Sequence, residues 1–278
     1  MPMIDRVHFE NFKSLQDVTL HLERLTALVG PNGCGKSSVL QGMHLLSLTG
    51  VKSPTDRATE DEIPRMRSEG YGLASTLAWM NVADDAGLAE LTHDLRDLVP
   101  GVKRIKTCRE RIATRRPEKF DAGGQPAWQL VDDTAIEDRF AIEFDDGFEV
   151  SANLLGEGTV LALGLLTKLH GPVRPRLFLL DDIDRGLHPT AQFKLVQVLR
   201  KRMALDPEMQ IVCTTHSPYL LDLFEPAEVR VLALDAKRRT HVRSLTEHPE
   251  FGNWKFGTQT GELWAALGEE WVLAAATG

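Results

Sequence analysis

The stretch GPNGCGKSS, residues 30–38, constrains this chain more than any other. An apolar run, LTALV, precedes it, and SSVLQGMHLLSL, with helical periodicity, follows. A glycine-rich turn between strand and helix lets successive backbone N–H groups wrap an anion, because glycine reaches positive φ and permits close approach. The helix that opens there adds the positive end of its dipole. Gly30, Gly35, Lys36 and Ser37 fill the G-x-x-x-x-G-K-[ST] spacing, in which the lysine reaches the β- and γ-phosphates and the serine hydroxyl ligates Mg²⁺. The loop therefore predicts nucleotide binding through Gly30, Asn32, Gly33, Cys34, Gly35, Lys36, Ser37 and Ser38. Cys34 reads as a small residue tolerated beside a phosphate, in preference to a redox switch.

Two later stretches complete the chemistry. RLFLLDD, residues 176–182, is an apolar strand ending in carboxylates. Asp181 is placed to hold Mg²⁺ through water, and Asp182, one residue on, to orient an attacking water as general base. TTHSPYLLD, residues 214–222, follows another apolar strand and brings His216 toward the γ-phosphate or that water. Three strands then deliver polar groups to one sheet edge, where open α/β sheets bind ligands.

RVHFENF, DVTLHL and LTALVG read as strands, LASTLAWMNV and LAELTHDLRDLV as helices, and RIKTCRERI, FAIEF and FEVSA as strands. GTVLALGLLTKL and PTAQFKLVQVLRKRMA read as helices flanking the strands RLFLLDD, QIVCTTH and EVRVLALD. Alternating strands and helices predict an α/β core with a mostly parallel sheet. The polar run SPTDRATEDEIPRMRSEG, residues 53–70, predicts a loop.

With 278 residues, 42% hydrophobic and 26% charged, the chain is long enough for a sizeable globular core. A net charge of −8 argues against coating nucleic acid indiscriminately. The start, MPMIDRVHFE, lacks a secretory pattern, and LALGLL at 161–166 is too short to span a bilayer, so a cytoplasmic protein without membrane partners is expected. Cys34, Cys108 and Cys213 show neither pairing logic nor metal spacing.

VHFENFKSL, LTALVGPNGCGKSSVLQGM, LLGEGTVLALGLL, LFLLDDIDRGLHP and IVCTTHSPYLLD together resemble the ABC-type ATPases of the RecF, SMC and OLD (overcoming lysogenisation defect) group. The resemblance covers about the first 50 residues and 151–235. It implies an ABC-type P-loop ATPase head from residues 1–48 and 151–245, an inserted helical and β subdomain over 49–150, and a tail over 246–278. Lys13 matches a family position near the nucleotide, and GLHP, residues 186–189, looks like the family's D-loop. LLGEGT, residues 154–159, stands where the family's signature motif binds the γ-phosphate of ATP held by the other subunit, with Gly156, Gly158 and Thr159 at its anion-facing end. One chain carries one phosphate loop and one signature, so the resemblance implies a two-fold homodimer sandwiching two ATP molecules with Mg²⁺.

Two positions depart from that family's pattern. Gly156 replaces the signature serine, and Asp182 replaces the usual catalytic glutamate with a side chain one methylene shorter. Both weaken positioning more than binding, which predicts a slow ATPase that lingers in its ATP-bound form. The insertion lacks the heptads of an SMC coiled coil, and too few residues follow His216 for a toprim nuclease domain. The resemblance therefore implies a sensor or regulator subunit with a separate effector, such as a nuclease, in a bacterial defence or toxin-like system. The alternatives are a RecF-like repair clamp on duplex DNA and, with less support, an ABC transporter ATPase subunit. The basic run KRIKTCRERIATRRPEK, residues 103–119, reads equally as a DNA-backbone contact or as a charged strand edge, and no aromatic residue interleaves with it. The tail tryptophans, Trp254, Trp264 and Trp271, are expected to pack on the core.

Overall fold

Apolar residues alternate along RVHFENF and LQDVTLH, and both form strands. β1 (Arg6–Phe12) and β2 (Leu15–His21) pair antiparallel and bury Val7, Phe9, Val18 and Leu20. β3 (Leu25–Val29) is buried at every residue, as a strand with neighbours on both edges and cover on both faces must be. α1 (Lys36–Leu48) follows the glycine-rich loop. A computed structural model describes residues 3–48, 63–64, 66–67, 71–121, 126–254 and 259–274; most of the predicted 53–70 loop lies outside them.

α2 (Leu73–Ala83) and α3 (Asp85–Leu98) come next, the second capped by Asp84, whose carboxylate accepts the Gly87 N–H at 2.9 Å. β4 (Val102–Asp121) and β5 (Pro126–Phe144) make a long hairpin, with β6 (Glu149–Ser151) antiparallel to the base of β5. α4 (Glu157–His170) closes this part of the chain. Residues 57–174 form one compact unit. The sequence predicts a return to the head at residue 151, but α4 groups with this unit. Its His170 Nε2 meets Asp94 of α3 at 2.8 Å, both side chains almost fully buried.

The other unit comprises residues 1–56 and 175–278. β7 (Leu177–Leu180), α5 (Pro189–Leu205), β8 (Gln210–Thr214), α6 (Pro218–Leu221), β9 (Val229–Leu234) and β10 (Thr240–Ser244) follow in order. Its five-stranded sheet runs β10-β9-β3-β8-β7, parallel throughout except for the antiparallel edge strand β10. This is the α/β core with a mostly parallel sheet that the sequence predicts. Strand order places the C-terminal ends of β3, β8 and β7 side by side, and the residues that leave those ends make the site. α7 (Phe251–Trp254), α8 (Thr260–Leu267) and α9 (Glu270–Ala274) finish the chain. Trp264 and Trp271 are buried, and the Trp271 indole N–H donates to the Gly268 carbonyl at 3.0 Å, so these two pack on the core as expected. The Trp254 side chain lies outside the described residues. Among the described residues, no helix is long and apolar enough to cross a membrane.

Candidate functional site

The loop from Gly30 to Ser37 is built tightly. Gly30 lies at φ 143°, and a Cβ there would sit 2.2 Å from the Leu232 carbonyl oxygen. Gly35 lies at φ 107°, with Thr240 Oγ1 2.5 Å from where its Cβ would be. Neither position accepts a side chain. Thr240, on β10, donates from Oγ1 to the Cys34 carbonyl at 2.9 Å, and the same hydroxyl pairs with Ser14 Oγ at 2.8 Å, tying the loop to the β1–β2 turn. Cys34 is buried, and burial raises its thiol pKa against the opposing pull of Lys36, so it packs the loop and is not poised as a thiolate.

Lys36 is buried, and its ammonium donates to the carbonyls of Gly30 at 2.9 Å and Pro31 at 3.1 Å. Its charge is thus held by the loop itself. Asn32 and Gly33 are exposed at the loop's crest, and Ser38 is half-buried on the first turn of α1.

Ser37 and Asp181 come together although 144 positions separate them: Ser37 Oγ donates to Asp181 Oδ1 at 3.2 Å. The same carboxylate oxygen accepts from Thr214 Oγ1 at 2.7 Å. Thr214 Oγ1 also accepts the Asp182 backbone N–H at 2.7 Å, so one buried hydroxyl sets both aspartates. Asp182 has φ 47°, a left-handed conformation that aspartate tolerates better than most residues. Its Oδ1 faces His216 Nε2 at 3.9 Å, and both side chains are exposed. Asp181 and Ser37 offer a carboxylate and a hydroxyl, the hard oxygen donors Mg²⁺ takes, beside a loop whose lysine and helix N-terminus suit phosphates. The residues present therefore fit Mg²⁺ and a nucleotide.

Lys13 sits at φ 55° in the β1–β2 turn. Its ammonium bonds Gln41 of α1 and lies 5.6 Å from the centre of the Phe12 ring. Gly156 caps α4 at its N-terminus and is exposed, Gly158 is buried and Thr159 half-buried. These three belong to the unit of residues 57–174, the phosphate loop to the other.

The basic strand is less free than its composition suggests. Lys103, Arg104 and Lys106 each meet Glu143 at 2.8 Å. Arg109 meets Asp138 at 2.8 Å, Arg115 meets Asp132 at 3.0 Å and Arg116 meets Asp133 at 2.9 Å. These cross-strand pairs favour a charged hairpin over a bare phosphate-binding stripe. Pairing also brings an aromatic beside the run, with Trp128 opposite Lys119 and 67% exposed; the separation along the chain hides this.

Sequence reasoning misses Thr214, Thr215, Asp184, Gln192, Gln41 and Thr240. A signal existed for the first two: adjacent hydroxyls at the end of an apolar strand must find partners when buried.

An AAA ATPase domain model matches residues 3–85. Among curated relatives, the OLD nuclease of Thermus scotoductus is 40% identical over 60 residues, 19% of this chain and 11% of that protein. The Septu protein PtuA of Bacillus thuringiensis is 33% identical over 69 residues, 25% of this chain and 17% of that protein. The matches thus span less than a fifth of either relative. Among solved structures, an SMC head bound to the C-terminal winged-helix domain of ScpA superposes with a TM-score of 0.52, at 13% identity, over 87% of this chain and 97% of that one. The fold is that of an ABC-type ATPase head. A second family model covers residues 48–222, well over half of the 278, and by that match the chain belongs to the family described as "AAA domain, putative AbiEii toxin, Type IV TA system".

Proposed function

We propose that the chain binds ATP at residues 30–38 and hydrolyses it slowly, and that ATP holds two copies together so that the dimer signals to a separate effector. The convergence of the Ser37 and Thr214 hydroxyls on Asp181, with Asp182 and His216 alongside, carries this reading. Lys36 and the N–H groups of the loop bind the β- and γ-phosphates. Ser37 and Asp181 would hold Mg²⁺, which when bound draws charge from the phosphate oxygens. Asp182 accepts the proton of the attacking water at its carboxylate, and His216 orients that water. The shorter Asp182 and the missing hydroxyl at Gly156 make the step slow. A sensor role beside a separate effector, a nuclease for instance, is supported by the toxin–antitoxin wording of the family's description and by the short matches to an OLD nuclease and PtuA.

Phosphate release by the purified protein, with and without linear duplex DNA and alongside Lys36→Ala, tests this. We expect slow release that Lys36→Ala abolishes and DNA leaves unchanged. Release stimulated by DNA and lost in Lys36→Ala would favour the duplex-binding clamp instead. A turnover of roughly ten per second without any partner would overturn the slow switch.

A further inference from the structure

Beside the phosphate site, four side chains and two backbone segments close into a ring of hydrogen bonds. Thr215, fully buried, donates from Oγ1 to Asp184 Oδ1 at 2.7 Å. That carboxylate oxygen also accepts the His216 backbone N–H at 3.4 Å. Thr215 Oγ1 in turn accepts the Ser217 N–H at 3.0 Å. Ser217 Oγ donates to Gln192 Oε1 at 2.9 Å and accepts the Leu220 N–H at 3.3 Å, capping α6. Gln192, buried on α5, closes the ring by donating from Nε2 to the carbonyls of Leu187 at 3.0 Å and Asp184 at 3.4 Å.

The ring's members come from three stretches: the turn of residues 184–187, the exit of β8, and α5. It brackets the two groups that act on water. His216 lies between Thr215 and Ser217, and Asp182 lies two residues before Asp184. Neither His216 nor Asp182 is held by its own packing, since both side chains are exposed. A buried polar network in which every member is satisfied rigidifies what it joins, whereas one with a member missing leaves others unpaired at high cost.

We propose that Thr215, Asp184 and Gln192 are positioning residues that lock the 184–187 turn to the His216 loop, so that the two segments open and close as one body and hold His216 against Asp182. The catalytic part of this rests on the ATPase reading above; the mechanical part does not. The turn carries good reporters, because the amides of Ile183, Arg185 and Leu187 donate to Thr214, Asp182 and Asp184 carbonyls at 3.1, 2.9 and 3.2 Å.

Thr215→Val removes the hydroxyl at nearly constant volume, Thr215→Ser keeps it, and Gln192→Leu opens the ring from the opposite side. Hydrogen exchange of the full-length, nucleotide-free protein and steady-state phosphate release are measured on each variant. In Thr215→Val and in Gln192→Leu, exchange over residues 183–188 should rise by about tenfold while residues 30–38 keep their protection. In both, kcat should fall by roughly tenfold or more with the KM for ATP within about twofold, the mark of lost positioning without lost binding. Thr215→Ser should restore both readouts. Unchanged exchange over 183–188 in both opened variants, or Thr215→Ser behaving like Thr215→Val, would overturn the brace. If Thr215→Val does not fold, Gln192→Leu alone decides by the same readouts. Coupled exchange in a wild-type protein that releases no phosphate would sink the ATPase reading and the catalytic part of this one, and leave the mechanical coupling standing.

Discussion

Asp182 holds its left-handed φ of 47° with its N–H on Thr214 and its carbonyl accepting from Arg185. Asparagine enters the same backbone region as readily as aspartate, so Asp182→Asn should fold unchanged, bind ATP and lose hydrolysis by on the order of 100-fold or more, as expected for removing a general base. Asp182→Glu tests the proposed cause of slow turnover. It restores the missing methylene and should raise kcat several-fold if reach limits the rate, less the cost of placing a longer side chain at positive φ; a rate at or below wild type would mean that reach is not limiting. The three cysteines give a separate residue-scale test. Cys108 is exposed, while burial raises the thiol pKa of Cys34 and pushes Cys213 up to about 12. Titration with a disulfide reagent should find Cys108 fast in the native protein and all three thiols only after denaturation. A second fast thiol in the native state would place Cys34 in a more open loop than its packing against Gly30 and Lys36 allows.

At the scale of elements, the β4–β5 hairpin is held at its base by apolar burial of Val102, Ile105, Phe140 and Ile142, and further out by ion pairs. Glu143 is the junction. Lys103, Lys106 and Arg104 surround a carboxylate whose side chain is 8% exposed and hold its pKa at about 2, below its ordinary 4.5. A depressed folded-state pKa gives stability that is full above 4.5 and is lost as pH falls through about 2. Glu143→Gln should therefore melt lower than wild type near neutral pH, because Lys103 and Arg104 lose their counter-charge and Lys106 keeps only Glu149, and should show a flatter decline over that acid window. Parallel melting curves across the window would contradict this. The same hairpin shows what local pattern conveys. RIKTCRERI and FAIEF alternate enough to be read as strands, but the continuation through residues 113–121 and 132–139 is charged on both faces, and only pairing across the hairpin makes it strand. β10, an edge strand reading THVRS, has the same problem. At the site, the glycine spacing, the strand-ending Asp181 and His216 are local signals. Thr214, Asp184 and Gln192 matter through partners on other elements, which no window of sequence contains.

For the whole molecule, the question is whether the phosphate loop and the signature that serves it lie in one chain or two. On the proposed reading each chain has one of each, and an ATP sandwich would join one chain's loop to the other's signature. Gly156 offers a clean way to ask. A Cβ at Gly156 would meet nothing within 4 Å, and the residue is the N-cap of α4. Gly156→Asp should thus leave the fold intact, since aspartate is among the best N-caps and its charge suits the helix dipole. The same charge at the same helix end should repel a phosphate. We expect Gly156→Asp and Lys36→Ala each to be inactive alone. When the two are mixed, half the dimers pair one of each, and such a dimer has one composite site with both its phosphate loop and its signature intact. Phosphate release should return to about a quarter of the wild-type rate per chain if composite sites act independently. A mixture as inactive as its parts, from proteins shown to be folded and to exchange subunits, would mean that the signature works within its own chain or not at all, and the sandwich dimer would be wrong.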